Sequence, residues 1–312
     1  MQQQKMRIAL LAGGTSGERQ VSLNGAAQVE KALAGEGFPV RRFDTATDLP
    51  ELVAAKDEID FAFILLHGLQ GEDGTMQGLL DLLGIPHQGS GVLGSAIAMD
   101  KHLAKELYRL AGLPVAEWEI VTGRNAGDGE GIARRLGLPL VVKPVREGSS
   151  LGMTIAHTEA ELLAGIEKAL SHGRQVMVEK YIRGRELTAG VLGNDTLEAL
   201  PLIEIVPGKE FAFFDYTAKY QPGATNEICP APVSEEITRK AQDYAVRAHR
   251  ALRLRGYSRT DMMLDENNNI YLLETNTIPG MTATSLLPQA AAKHGLDFPT
   301  FLVRLIELGM EK

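Results

Sequence analysis

Cysteine is almost missing from this chain of 312 residues: Cys229 stands alone, so no internal disulfide can form and a reducing compartment is expected. Aromatic residues make up only 5%, and Lys plus Arg (32) is outnumbered by Asp plus Glu (40). A net charge of −8 with so few stacking side chains argues against nucleic acid and anionic membrane surfaces as partners. Any phosphate binding must then be local, built from a few Lys, Arg and backbone N–H groups. Long apolar runs are lacking too. The longest, Phe61 to Leu66, is far below a membrane span, and Ile8 to Ala12 is too short for a signal segment. The expectation is a soluble, cytoplasmic protein. There is no internal repeat, no Gly-x-Gly-x-x-Gly fingerprint and no Walker A loop, which argues against dinucleotide binding and a P-loop.

What is present is ordinary globular composition, 44% hydrophobic and 23% charged, enough to bury a sizeable core. At roughly 150 residues per domain the length suggests about two domains, or three small ones. Continuous apolar runs at Arg7–Ala12 and Phe61–Leu66, with a helical pattern over Ser22–Ala34, predict parallel strands covered on both faces. Ligands bind such sheets at the carboxyl ends of the strands, here Gly13-Gly14-Thr15-Ser16-Gly17-Glu18 and His67-Gly68. One long helix is predicted from Val92 to Ala111, ahead of Gly112 and Pro114. Strands are expected at Leu138–Pro144, Gln175–Tyr181, Glu186–Leu192 and Leu197–Val206, and helices at Met76–Leu83, Ala160–Leu170, Ser234–Leu252 and Phe298–Met310. Val206 to Thr225 shows no period and carries Pro207, Gly208, Pro222 and Gly223, the mark of a lid or binding loop.

The sharpest physical signal is a hairpin formed by Arg259–Asp265 and Ile270–Thr275. Centring its turn on Asn267-Asn268 places Asp261 opposite Glu274 and Arg259 opposite Asn276, all on one face with Met263 and Leu272. Two carboxylates facing each other at ~4–5 Å repel by roughly 4 kcal/mol at an effective dielectric of 20. A divalent cation turns that liability into a site, and Asp261, Glu274 and the amide oxygen of Asn276 are hard donors suited to Mg2+. The alternative is a surface hairpin with scattered charge, and a one-residue slip would put the carboxylates on opposite faces. Lys143-Pro144 running into Glu147-Gly148-Ser149-Ser150 is either a phosphate cradle with a lysine or a plain hairpin connection. Glu179-Lys180-Tyr181 with Glu186 is either a contact for a nucleotide base and ribose or a charged strand end. Glu18 is a candidate for a substrate ammonium. Together these describe a nucleotide-dependent enzyme of phosphoryl-transfer type.

In their order along the chain these stretches resemble the D-alanine–D-alanine ligases of the ATP-grasp superfamily. The resemblance rests on Gly13–Glu18, His67-Gly68, Gly71–Thr75, Gly89–Gly91, Met99-Asp100-Lys101, Val142–Met153, Asp215-Tyr216, Ala218-Lys219-Tyr220, Arg259-Thr260-Asp261 and Leu272–Thr282. It covers nearly the whole chain. It implies an α/β (α+β) three-domain ATP-grasp fold: an N-terminal parallel-sheet domain (1–101), a central subdomain (102–181), and a C-terminal subdomain (182–312) with the metal site and a lid over 206–225. The implied reaction joins two D-alanine molecules through a D-alanyl phosphate. Lys101 and Lys143 would contact ATP phosphates, with Ser150 in the same ATP set, and Glu179, Lys180 and Glu186 would hold adenine and ribose. Asp261, Glu274 and Asn276 would bind two Mg2+ ions, for which Mn2+ can substitute. Arg259 and the N–H of Gly280 would stabilise the tetrahedral intermediate. Glu18 would hold the first ammonium, with Ser149 and Tyr220 closing the site. His67 would lie near the first D-alanine, Lys219 would reach phosphate from the lid, and Ser285 and Leu286 would seat the second carboxylate.

The chain departs from the family pattern at Thr275 and Ile278, where smaller residues are expected, and at Ser258, where glycine is common. The resemblance associates the Lys219-Tyr220 pair with D-alanine as acceptor; D-lactate or D-serine is the alternative. It also implies a homodimer. A catalytically dead nucleotide-binding module would have lost a metal ligand or Arg259, and all four residues are present.

Overall fold

The computed structural model describes residues 6–208 and 225–311. Lys219 and Tyr220, with most of the expected lid, lie outside the described residues. Three strands, β1 (Ile8–Ala12), β2 (Val40–Asp44) and β3 (Phe61–Ile64), form a parallel sheet in the order β2-β1-β3. The apolar runs at β1 and β3 are continuous because both faces are covered. Ile8, Leu10, Phe61 and Phe63 meet Val29, Leu33, Phe301 and Leu305 on one side. Ala9, Leu11, Ala62 and Ile64 meet Leu52, Met76 and Leu80 on the other. The C-terminal helix, Phe298–Met310, therefore returns to the first sheet. Strand β2 has no counterpart in the apolar pattern, because it is an edge strand with only Phe43 buried.

The single helix expected over Val92–Ala111 is two, Val92–Met99 and Lys101–Leu110. Asp100 breaks it with an extended backbone (φ −91°, ψ 97°), and its carboxylate accepts the N–H of Leu103 at 3.1 Å as the cap of the second helix. The break makes Lys101 the first residue of that helix, with its N–H donated to Val145 O at 3.1 Å.

A second sheet is antiparallel throughout: β4 (Trp118–Thr122), β5 (Leu140–Pro144), β6 (Thr154–Ala156) and β7 (Gln175–Lys180), in the order β4-β7-β5-β6. Val142, Val176 and Val178 pack under the helices Gly129–Leu136 and Glu159–Leu170. Alternation sends Lys143 and Glu179 to the opposite face.

The third sheet holds β8 (Gly184–Gly193), β9 (Leu197–Ala199), β10 (Ile203–Pro207), β11 (Thr225–Ile228), β12 (Gly256–Asp265) and β13 (Ile270–Asn276). Its main path runs β11-β10-β8-β12-β13, with β9 on β8. The strand expected over Leu197–Val206 is interrupted at Pro201, which has no N–H for a ladder. The helix Glu235–Ala251 starts at its Ser234 cap and lays Ile237, Ala241, Ala245 and Ala248 on one face of this sheet.

The β12–β13 ladder sets Arg259 against Asn276 and Asp261 against Glu274, as the hairpin reading requires. The turn, however, is shifted by one residue. Asp265 N–H donates to Asn269 O at 2.9 Å, and Asn268 takes the left-handed conformation (φ 62°). Met262 pairs with Leu272 and Met263 with Tyr271, and a bulge at Leu273 restores the Asp261–Glu274 opposition. Leu272, expected beside the carboxylates, instead lies in the core on the other face with no exposure.

Candidate active site

Between the second and third sheets lies a cleft of about 330 Å3. Lys101, Lys143, Ser150, Glu179, Lys180, Glu186, Asp261 and Glu274 all line it. Its apolar walls include Ala116, Val141, Ile155, Ile182, Met263 and Leu273. A slot of this kind takes a flat uncharged ring on its walls and an anion on its lysines.

The charges in the cleft are organised in three groups. In the first, buried Glu179 on β7 is held by Lys105 and by Lys143, whose Nζ lies 2.5 Å from Oε1. Burial alone would raise the Glu179 carboxyl; the two lysines overcome that and hold it at about 2. Burial pulls the Lys105 ammonium down against the pull of Glu179, whereas Glu179 and Glu274 together push the Lys143 ammonium up despite its burial. In the second, the Lys101 Nζ lies 3.1 Å from Glu274 Oε2 and donates to the Glu147 carbonyl. In the third, the Arg259 guanidinium forks onto both Asp261 oxygens at 2.9 and 2.7 Å. Asp261 also accepts from Thr188 Oγ1 at 2.6 Å and from the Asn276 amide at 3.0 Å. Each carboxylate expected at a metal thus faces a cation, and no site residue in these groups is stranded.

A second cluster sits at the strand ends of the first sheet. Glu18, at the start of the helix Arg19–Gly35, is buried and accepts a hydrogen bond from Ser149 Oγ. Gly148 lets the loop come this close, because a Cβ there would stand 2.8 Å from Glu18 Oε2. Ser149 and Ser150 both hold positive φ, 47° and 58°, a conformation costing roughly 1–2 kcal/mol per non-glycine residue. The loop is thus bent to present both serines. His67 donates from Nδ1 to the Ile278 carbonyl at 3.1 Å, and burial lowers its pKa so the ring is neutral at pH 7. That leaves Nε2 as an acceptor.

Glu72 completes the clamp on Ile278. Its two carboxyl oxygens accept the N–H of Gly68 at 2.9 Å and of Ile278 at 3.3 Å. Enclosure, with the nearby Glu18 charge, lifts Glu72 to about 8. Gly280 lies against Ser285, a Cβ at 280 falling 3.1 Å from Ser285 Oγ. Ser285 precedes the helix Leu286–Lys293 and takes the N–H of Thr282 at 3.0 Å. The Leu286 side chain is buried in the core around the first sheet, so only its main chain at the helix start is placed to meet a ligand.

The sequence-derived residues fall together with few exceptions. Lys180 lines the cleft but its ammonium pairs with Glu117 at 2.8 Å, and Lys219 and Tyr220 lie outside the described residues. The departures are accommodated. Thr275 faces the core, bonded to Tyr108 and Thr260 at 2.6 and 3.0 Å. Ser258 bonds His249 Nδ1 at 2.8 Å. Three residues near the chemistry escaped the sequence reading: Lys105, Thr188 and Glu72. Lys105 and Thr188 look like ordinary surface positions in sequence, and Glu72 was visible only as part of Gly71–Thr75.

Comparison with known proteins finds relatives over nearly the whole chain. Residues 107–307 match the family described as "D-ala D-ala ligase C-terminus", and residues 40–90 match "D-ala D-ala ligase N-terminus". A D-alanine–D-alanine ligase of Desulfotalea psychrophila is 63% identical over 99% of this chain and 96% of its own. One from Syntrophobacter fumaroxidans is 56% identical over 100% of both. The crystal structure of the Bacillus anthracis D-alanine–D-alanine ligase complexed with ATP superposes with a TM-score of 0.85 at 32% identity, covering 98% of this chain and 97% of that one.

Proposed function

The chain belongs to the D-alanine–D-alanine ligase family, and from that premise we propose that its cleft joins two D-alanine molecules into D-alanyl-D-alanine at the expense of ATP. The observation that carries this reading is the convergence of Lys101, Lys143, Asp261 and Glu274 on one cleft, with Arg259 bound to Asp261. A carboxylate is a poor acyl donor. Attack of the first D-alanine carboxylate on the γ-phosphate of ATP gives D-alanyl phosphate and ADP. The amine of the second D-alanine then attacks the acyl carbon, loses a proton, and phosphate departs with its bridging oxygen.

Lys101 and Lys143 contact the phosphates in this scheme, with Ser150 on the adjoining loop. Glu179, Lys180 and Glu186 border adenine and ribose. Glu18, joined to Ser149, takes the first ammonium; His67 stands beside that amino acid. Arg259 and the Gly280 N–H receive the oxyanion; losing one such donor costs about 2.7–4 kcal/mol. Ser285 and the Leu286 main chain meet the second carboxylate at a helix start, where N–H groups favour an anion. Lys219 and Tyr220 belong to this scheme as lid residues.

The donor chemistry of Asp261, Glu274 and Asn276 fits magnesium, with manganese as a substitute: two carboxylates and an amide oxygen share one face of a hairpin. Two such ions supply charge neutralisation at the phosphate oxygens. The division at 1–101, 102–181 and 182–312 is part of the reading, supported by one sheet falling in each range. So are a cytoplasmic setting and a homodimer. No helix among the described residues is long and apolar enough to cross a membrane. The test is product mass after incubation with Mg-ATP and D-alanine, L-alanine, or D-alanine plus D-lactate. D-Alanyl-D-alanine made only from D-alanine is expected; a depsipeptide as main product, or no product, would overturn the acceptor or the activity.

A further inference from the structure

Lys105 is a fully buried ammonium that the reaction scheme does not use. It lies one turn beyond Lys101 on the helix Lys101–Leu110, has no side-chain exposure, and packs its Nζ 5.2 Å from the centre of the Trp118 ring. Its ion-pair partner is Glu179, which also holds Lys143. Two lysines on one buried carboxylate leave an excess positive charge, and only Lys143 reaches the cleft wall.

We infer that Lys105 is a positioning residue for nucleotide binding: it keeps Glu179 neutralised so that Lys143 can leave that carboxylate for a phosphate. The inference rests on the proposed contact between Lys143 and the nucleotide. Without Lys105, Glu179 has Lys143 as its remaining partner among these ion pairs. Moving Lys143 to a phosphate would then strand a buried carboxylate, a penalty large enough to hold the lysine back. With Lys105 in place the exchange costs little, because Glu179 keeps one partner throughout. Lys105 thereby acts at a distance on an anion it cannot touch.

The test is titration calorimetry of Mg-ADP with the full chain, together with steady-state kinetics for ATP and D-alanine. Lys105→Met is expected to weaken Mg-ADP about tenfold or more and to raise the KM for ATP in parallel, while the KM for D-alanine stays within about twofold. Adding Glu179→Gln should cancel the effect: Lys105→Met/Glu179→Gln should bind Mg-ADP within about twofold of Glu179→Gln alone, because no charge remains to tether Lys143. That comparison stands even if Lys105→Met alone does not fold. Unchanged Mg-ADP affinity in Lys105→Met, equal rises in both KM values, or a further loss in the double variant would overturn the inference. A wild-type chain that binds Mg-ADP but forms no dipeptide would overturn the ligase reading and leave this one intact.

Discussion

Leu273 and Glu274 are neighbours in the chain, yet both line the cleft, because the β-bulge in β13 sets the two of them against Asp261. On either side the alternation resumes: Leu272 and Thr275 are buried on the far face. The bulge thus adds an apolar wall beside the carboxylates without moving them apart.

Adjacent leucines should therefore respond in opposite ways. Leu272→Ala should cost about 2–5 kcal/mol of stability, the usual penalty for emptying a core site. Leu273→Ala should leave the melting temperature nearly unchanged and raise the KM for ATP. Denaturant unfolding of both variants, read beside ATP kinetics, checks this. An unbulged hairpin would put Leu272 in the cleft and reverse the result.

The hairpin shows what a sequence can and cannot specify. The opposition of Asp261 and Glu274 was legible from turn chemistry and period, but through two offsetting departures: the turn is centred one residue earlier, and the bulge adds one back. Neither leaves a mark in the residue pattern. Strands β1 and β3 were plain because both faces are buried, whereas β2 carries exposed Arg41 and Arg42 and reads as polar linker. The break at Asp100 was hidden inside a good helical period, since a capping aspartate in mid-pattern looks like any exposed polar residue. Lys105 was invisible for the same reason. Lysines on helices are usually solvated, and this one is buried against a partner, Glu179, that arrives from a strand 74 residues away.

Replacing that cap tests the helix break. Asp100→Ala should destabilise the protein by about 0.5–2 kcal/mol. It should also raise the KM for ATP, because Lys101 is oriented as the first residue of the helix that Asp100 starts. A loss of stability with unaltered ATP kinetics would detach the break from the site.

The bond from Ser149 to Glu18 joins the phosphate-side loop to the first sheet. Ser149→Ala removes a hydrogen bond to a charged group, worth about 1.5–3 kcal/mol. The expected outcome is a rise of tenfold or more in the KM for D-alanine, with ATP affinity little changed. Kinetics with each substrate varied in turn would separate the two, and a purely ATP-side effect would contradict the assignment of Glu18.

Glu72 predicts a pH dependence of stability. Its folded value, about 8, lies above the ordinary 4.5, so between those values the folded chain holds a proton that the unfolded chain has released. The stability tied to the protonated form is therefore intact below about pH 4.5 and is lost as pH rises to about 8. Glu72→Gln cannot make the same loss. It should be less stable than wild type at pH 5–6, having exchanged one acceptor oxygen for an amide, and should close the gap toward pH 9. Melting temperatures of both proteins across that range check the sign; parallel curves would show that Glu72 titrates normally.

In the proposed reaction the carboxylate of D-alanine attacks ATP before any peptide bond forms. Incubating the protein with Mg-ATP and D-alanine labelled with 18O in its carboxylate, then weighing the released phosphate by mass spectrometry, tests it directly. One labelled oxygen is expected in each phosphate formed with D-alanyl-D-alanine, because the acyl phosphate breaks at its carbon–oxygen bond. Unlabelled phosphate accompanying dipeptide formation would contradict it.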